Sequence, residues 1–166
     1  IGQVLLANGD ITEAELQHAI ARQRVARLSN CPVFNMLAAT ELSAIGRHFK
    51  ENSVMQGQQF IIQDASDDTL YILAAGRLEV YRTHASGAEV HIAFVEPVAP
   101  VGEMGYFRGG IRTASVRAVK QSELLVADYA SLRDYFDHVP RVAFAFTRIV
   151  EQRRRATAQV INAQSH

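Results

Sequence analysis

The chain has 166 residues, 48% of them hydrophobic, and its 17 basic and 17 acidic side chains balance to a formal net charge of zero. That length suits one domain with a helical appendage, able to bury a core without staples, and the composition excludes an intrinsically disordered chain. The neutral balance excludes a dominant electrostatic footprint for nucleic acid or an anionic membrane, while leaving room for a local patch. One cysteine, Cys31, cannot close an internal disulfide, so a reducing cytoplasm is the expected setting. No apolar run reaches the ~18 residues of a membrane span, and no signal peptide opens the chain. The first residue is Ile1 rather than Met, so a longer parent chain is expected.

The first 28 residues read as a helical hairpin. Ile11, Leu16, Ala19, Ile20 and Val25 recur at helical spacing, Asn8-Gly9-Asp10 breaks the pattern, and Thr12 with Glu15 forms a capping-box signal. Residues 31 to 51 continue in the same period, with Thr40 as the expected N-cap of a turn starting at Glu41. From about 52 to 128 the period shortens. Short β-rich runs alternate with turn signals at Gly57, Asp64 to Asp68, Gly76 and Ser86-Gly87, which implies an antiparallel sandwich or small barrel. Residues 76 to 95 form the clearest hairpin. Helical period returns at Ser131, and Pro140 is placed as the first residue of a helix of about 20 residues. The order is helices, barrel, helices.

One stretch carries chemistry: "VGEMGYFRGGIRTASVRA", Val101 to Ala118. The segment at Glu103 can make a single helical turn, whose free N–H groups suit an anion. Arg112 adds a planar, permanently charged fork matched to phosphate oxygens. Glu103, when ionised, only accepts hydrogen bonds, so its natural partner is a hydroxyl or an N–H. A ligand with a phosphate beside a free hydroxyl, such as a ribose 3′,5′-cyclic phosphate, would use both. A surface ion pair between Glu103 and Arg112 explains the same two residues equally well.

This stretch resembles the phosphate-binding cassette of the cyclic-nucleotide-binding domain family, and the upstream "IIQDASDDTLYILAAGRLEVYR" resembles its strand-turn-strand signature. The likeness covers roughly residues 30 to 162. It implies an α+β, mainly β fold: an antiparallel double-stranded β-helix or jelly-roll barrel, flanked by N-terminal helices and a long C-terminal hinge helix. The division expected is a hairpin over 1–28 and a cyclic-nucleotide-binding domain over 29–166, with helices over 131–162. The resemblance further implies that Glu103 accepts the ribose 2′-hydroxyl and that Arg112 pairs with the cyclic phosphate. Backbone N–H groups at Gly102, Glu103, Met104, Gly105, Thr113 and Ala114 would complete the cradle. Thr113 can also reach a guanine amino group, so both cAMP and cGMP stay open. Ile92 falls where the family places an apolar pocket wall, or is ordinary core. Arg153 and Thr157 match hinge-helix positions near the glutamate and the base, or form a solvated face. The sequence departs from the family at Val98-Ala99, where Gly-Asp is usual, and at Ala65, near a common glycine.

Residues 1–24 are similar to a motif at the N-terminus of secretion and pilus-assembly ATPases, some of which bind cyclic di-GMP with two tandem copies. One copy is visible, which implies either dinucleotide binding or a packing hairpin. The expected partners are a cyclic nucleotide, a second copy through the C-terminal helix and a fused or docked effector, with no membrane and no nucleic acid for this chain alone. No cofactor, no metal and no enzymic activity are expected. His84 and His91 lack a clustered metal-ligand spacing, and Cys31 lacks His and Asp partners. Two alternatives share the fold: a docking module that has lost its ligand, and the sensor part of a catabolite-activator-type transcription regulator without its DNA-binding portion.

Overall fold

The computed structural model describes residues 2–164. The N-terminus forms α1 (Gly2–Ala7) and α2 (Glu13–Ser29). Thr12 caps α2 as its sequence signals: its hydroxyl accepts from Glu15 N at 3.2 Å, while the Glu15 carboxylate accepts from Thr12 N at 2.8 Å. Residues 31 to 37 do not continue the helix. They form successive turns that bury Cys31, Val33, Phe34 and Leu37 together. The next helix, α3 (Ala39–Gly46), starts earlier than Thr40 allows. Its N-cap is Ala38, whose N–H is held by the Glu41 carboxylate at 2.8 Å. Phe49 lies beyond that helix, buried edge-on against Phe34 at 5.9 Å.

Six strands follow: β1 (Lys50–Val54), β2 (Gln59–Ile61), β3 (Thr69–Thr83), β4 (Glu89–Val95), β5 (Ala99–Val101) and β6 (Ser115–Asp128), with the short helix α4 (Glu103–Tyr106) between β5 and β6. All pairings are antiparallel, along the path β1-β6-β3-β4, with β2 on β6 and β5 on β3. The path does not close into a hydrogen-bonded barrel. The long β3 carries the fold, pairing with β4, β5 and β6. Its register slips between Leu73 and Leu78, bending the strand. Gly76 sits in that bend at φ +109°, and a Cβ there would fall on the side chain of Ser122.

Two clusters make the core. One lies among the strands, with Val54, Ile61, Leu73, Leu78, Val95, Val101, Val116 and Leu124. The other joins the helices to the sheet's end. Leu28 of α2, Phe34, Ile45 of α3 and Leu125 of β6 meet Phe136 of α5 (Tyr129–His138) and Phe146 of α6 (Pro140–Gln164). Phe136 and Phe146 stack at 4.3 Å, a pairing worth about 1 kcal/mol beyond its buried area. Pro140 opens α6, which runs 25 residues because its Arg, Ala and Gln tail is built from good helix formers.

Candidate ligand site

Strand β5 delivers the chain to Gly102, which turns it into α4 at φ +87°. Only glycine fits there: a Cβ would stand 2.5 Å from Arg112 Nη1. The turn puts Glu103 at the first position of α4, 3% exposed. Buried charges need partners, and its partner is Arg153 of α6, whose Nη1 lies 2.8 Å from Oε2 and also donates to Pro100 O at 2.6 Å.

Arg112, 2% exposed, is the largest fully buried side chain. It does not pair with Glu103. Asp67, on the loop between β2 and β3, lies 2.6 Å from Nη2 and accepts from Nε at 3.2 Å. Nη2 also donates to Thr69 O at 2.6 Å. Nη1 donates to Gly102 O at 2.9 Å and to the Tyr129 hydroxyl at 3.1 Å. The Tyr129 hydroxyl in turn donates to Gly102 O. Burial pushes the Tyr129 phenol up to about 12, so it stays protonated and able to donate.

Gly102, Glu103, Met104, Gly105, Arg112, Thr113, Ala114, Ile92, Arg153 and Thr157 all line one cavity. Ile61, Val80, Phe94, Val95, Val101 and Val116 complete an apolar wall opposite the cassette. The Thr113 hydroxyl points at Met104 Sδ, 3.6 Å away. The cavity therefore combines an apolar slot with acidic and basic groups and a helix start at one end. Asp67 and Tyr129, the two side chains that hold Arg112, escape sequence reasoning. Asp67 reads there as a turn residue, and Tyr129 opens a helix 17 positions downstream. The sequence does show that Asp67 lies in an acid-rich turn, which is the one available hint.

Among the described residues no cluster of three or more His, Cys, Asp or Glu could hold a metal ion. Burial pushes the Cys31 thiol up to about 12, which removes it as a nucleophile at neutral pH. His91 instead lies 3.0 Å from Glu79, in a surface ladder that Arg117 shares at 2.8 Å.

A family model described as cyclic nucleotide-binding domain matches residues 51–139, from β1 through the cassette to the end of α5. The chain belongs to the cyclic nucleotide-binding domain family. Within that family it is 30% identical over 131 residues to the cyclic AMP receptor protein of Thermus thermophilus, covering 77% of this chain and 59% of the relative. It is 22% identical over 130 residues to a CRP-like cAMP-activated global transcriptional regulator of Mycobacterium tuberculosis, covering 78% and 58%. The crystal structure of Thermus thermophilus catabolite activator protein superposes with a TM-score of 0.70 at 28% identity, over 81% of this chain and 63% of that one. The chain thus spans about three fifths of the curated relatives it matches. No described helix is long and apolar enough to cross a membrane.

Proposed function

We propose that the chain is a cytoplasmic regulatory module that binds a cyclic nucleotide, cAMP or cGMP, and passes the event to a fused or docked effector through α6. It carries out no catalysis of its own. The observation that carries this reading is the convergence of Glu103 and Arg112 from the cassette with Arg153 and Thr157 from α6 around one apolar cavity. Arg112 supplies charge for the cyclic phosphate, and the N–H groups opening α4, with those at Thr113 and Ala114, supply neutral donors. Glu103 accepts the ribose 2′-hydroxyl. The base lies along Ile92 and under Thr157, with Thr113 able to meet either purine. The name of the Thermus relative makes cAMP the first ligand to try.

α6 is the output because it supplies Arg153, so ligand at Glu103 alters the bond that holds the helix. Binding that prefers one α6 position shifts the population toward it. The exposed face of α6 offers a seam to a second copy or an effector.

A second reading, a docking scaffold of the same fold without a ligand, draws support from one feature. The Arg112 guanidinium already donates four hydrogen bonds to protein acceptors and lies 2.6 Å from the Asp67 carboxylate. Calorimetric titration with cAMP and with cGMP separates the two. Binding at micromolar concentration supports the sensor. No heat with either nucleotide at high micromolar concentration leaves the scaffold.

A further inference from the structure

Beside the ligand cavity lies a second, wider one. The first measures about 130 Å³, close to the ~150 Å³ void that holds benzene, so a purine nucleotide has to reach out of it. The second measures about 580 Å³, in the usual range for a small-molecule site. Met104, Thr113 and Thr157 line both, so the two cavities adjoin along these residues. Three arginines converge on the wider cavity from separate elements: Arg82 from β3, Arg108 from the turn after α4, and Arg154 from α6. In the first cavity Arg112 and Arg153 are each balanced by a carboxylate. The three arginines of the wider cavity have no ion pair or side-chain hydrogen bond among the described residues. Glu151, the acid on its wall, pairs with Arg155 at 3.9 Å. A chain with no net charge thus concentrates uncompensated positive charge next to its cassette. Phe107, 53% exposed, adds an aromatic face, held edge-on by Tyr106 at 5.2 Å and tilted against Phe146 at 5.7 Å. Guanidinium groups suit a phosphate and an exposed ring suits a base, so together they have the chemistry of a nucleotide subsite.

We infer that the wider cavity is a subsite for a second nucleotide unit, so that the whole site takes a cyclic dinucleotide, with one phosphate at Arg112 and the other among Arg82, Arg108 and Arg154. The inference rests on the cyclic-nucleotide reading of the first cavity and extends it to a larger ligand class. Each ribose of a cyclic dinucleotide keeps a free 2′-hydroxyl beside its 3′-phosphate. Glu103 and Arg112 therefore meet the same two groups that cAMP would offer. The ligand passes Thr113 and Thr157 into the wider cavity, where its second base stacks on Phe107. A cyclic mononucleotide leaves the three arginines without a phosphate. An acidic protein surface would satisfy them but leave the junction with the first cavity unexplained.

Calorimetry compares cAMP with cyclic di-AMP, which keeps the base and adds a second nucleotide. Cyclic di-AMP is expected to bind at least about tenfold more tightly, at one molecule per chain. Arg108→Ala and Arg154→Ala are each expected to weaken cyclic di-AMP about tenfold, the scale of one charge-assisted hydrogen bond, and to move cAMP less than about twofold. Both side chains are exposed and unpaired, so the variants keep the fold, as circular dichroism would show. Arg155→Ala, which removes a neighbouring arginine that does not line the cavity, is expected to change neither ligand. Equal losses for both ligands, or a loss as large from Arg155→Ala, show general charge attraction and overturn the subsite. Cyclic di-AMP that binds no more tightly than cAMP also overturns it, whether the cavity stays open or a second copy covers it. That outcome leaves the sensor reading intact, whereas failure of both nucleotides to bind overturns the sensor reading as well.

Discussion

Glu103 and Arg112 are both buried charges, and each is balanced by a residue far away in sequence, Arg153 and Asp67. Their substitutions should differ accordingly. Arg112→Ala removes the charge assigned to the phosphate and is expected to weaken cAMP at least roughly a hundredfold, the scale of a buried charge losing its partner. Glu103→Ala removes one hydrogen bond to a hydroxyl and is expected to cost about tenfold. Calorimetry on both variants, with circular dichroism to show that they fold, checks the order, and an arginine variant that binds like wild type defeats the cassette assignment. Cys31 gives a simpler test. It is fully buried with its thiol pushed up to about 12, so a disulfide-exchange reagent should leave it unmodified at pH 7.5 in the native state and label it after denaturation. At this scale the sequence displays the acid, the base and the glycine between them, because the cassette is local. It does not display Asp67 or Tyr129, since strand pairing and the return of α5 create those contacts across 45 and 17 residues.

Among the elements, α2 is fixed to the sheet by its arginines. Arg24 makes a two-pronged bond to Glu51 of β1, 2.7 Å on each arm, and donates to Gly46 O at 3.0 Å, while Arg27 pairs with Glu123 of β6. Burial raises the Glu51 carboxyl, but the bonds from Arg24 outweigh it, and the net displacement is below the ordinary value. A carboxyl depressed by folding stabilises the protein above its unfolded pKa, and that stability is lost as pH falls through the folded value. Arg24→Ala is therefore expected to cost about 1 kcal/mol at pH 7 in urea denaturation, because the pair is partly exposed. The cost should shrink in acid, once pH has dropped below the usual carboxylate range. An equal cost at pH 7 and pH 3 would show that Arg24 acts by packing alone. Most elements were legible because their periods change sharply: Thr12 with Glu15 marks α2, Ser86-Gly87 marks the β3–β4 turn, and Pro140 marks α6. Residues 31 to 37 were not, since Val33, Phe34 and Leu37 keep helical spacing while the core draws them inward as turns.

Across the whole molecule two attachments of α6 matter most to the cavity. Near its start Arg141 pairs with Glu41 of α3, and Phe146 is buried among Tyr106, Phe107 and Phe136. Further along, Arg153 grips Glu103 and Pro100 O. The first attachment is largely apolar and lies in the helical core, so it acts as a pivot. The second is polar, partly exposed and set at the cavity mouth, where a nucleotide would join Glu103. If ligand signals through that second attachment, Arg153→Ala should separate binding from response. The variant retains Arg112, its acceptors and the cassette N–H groups, so cAMP affinity should fall by no more than about tenfold, one charge-assisted bond. Hydrogen exchange reads the response. In wild type cAMP should slow exchange over residues 150–164, because the ligand adds contacts to that helix segment. In Arg153→Ala the same residues should exchange at one rate with and without ligand, while protection of the cassette at 102–114 persists. Slowing of α6 in the variant equal to that in wild type would show that the helix is driven through its aromatic pivot and not through the Glu103–Arg153 bond.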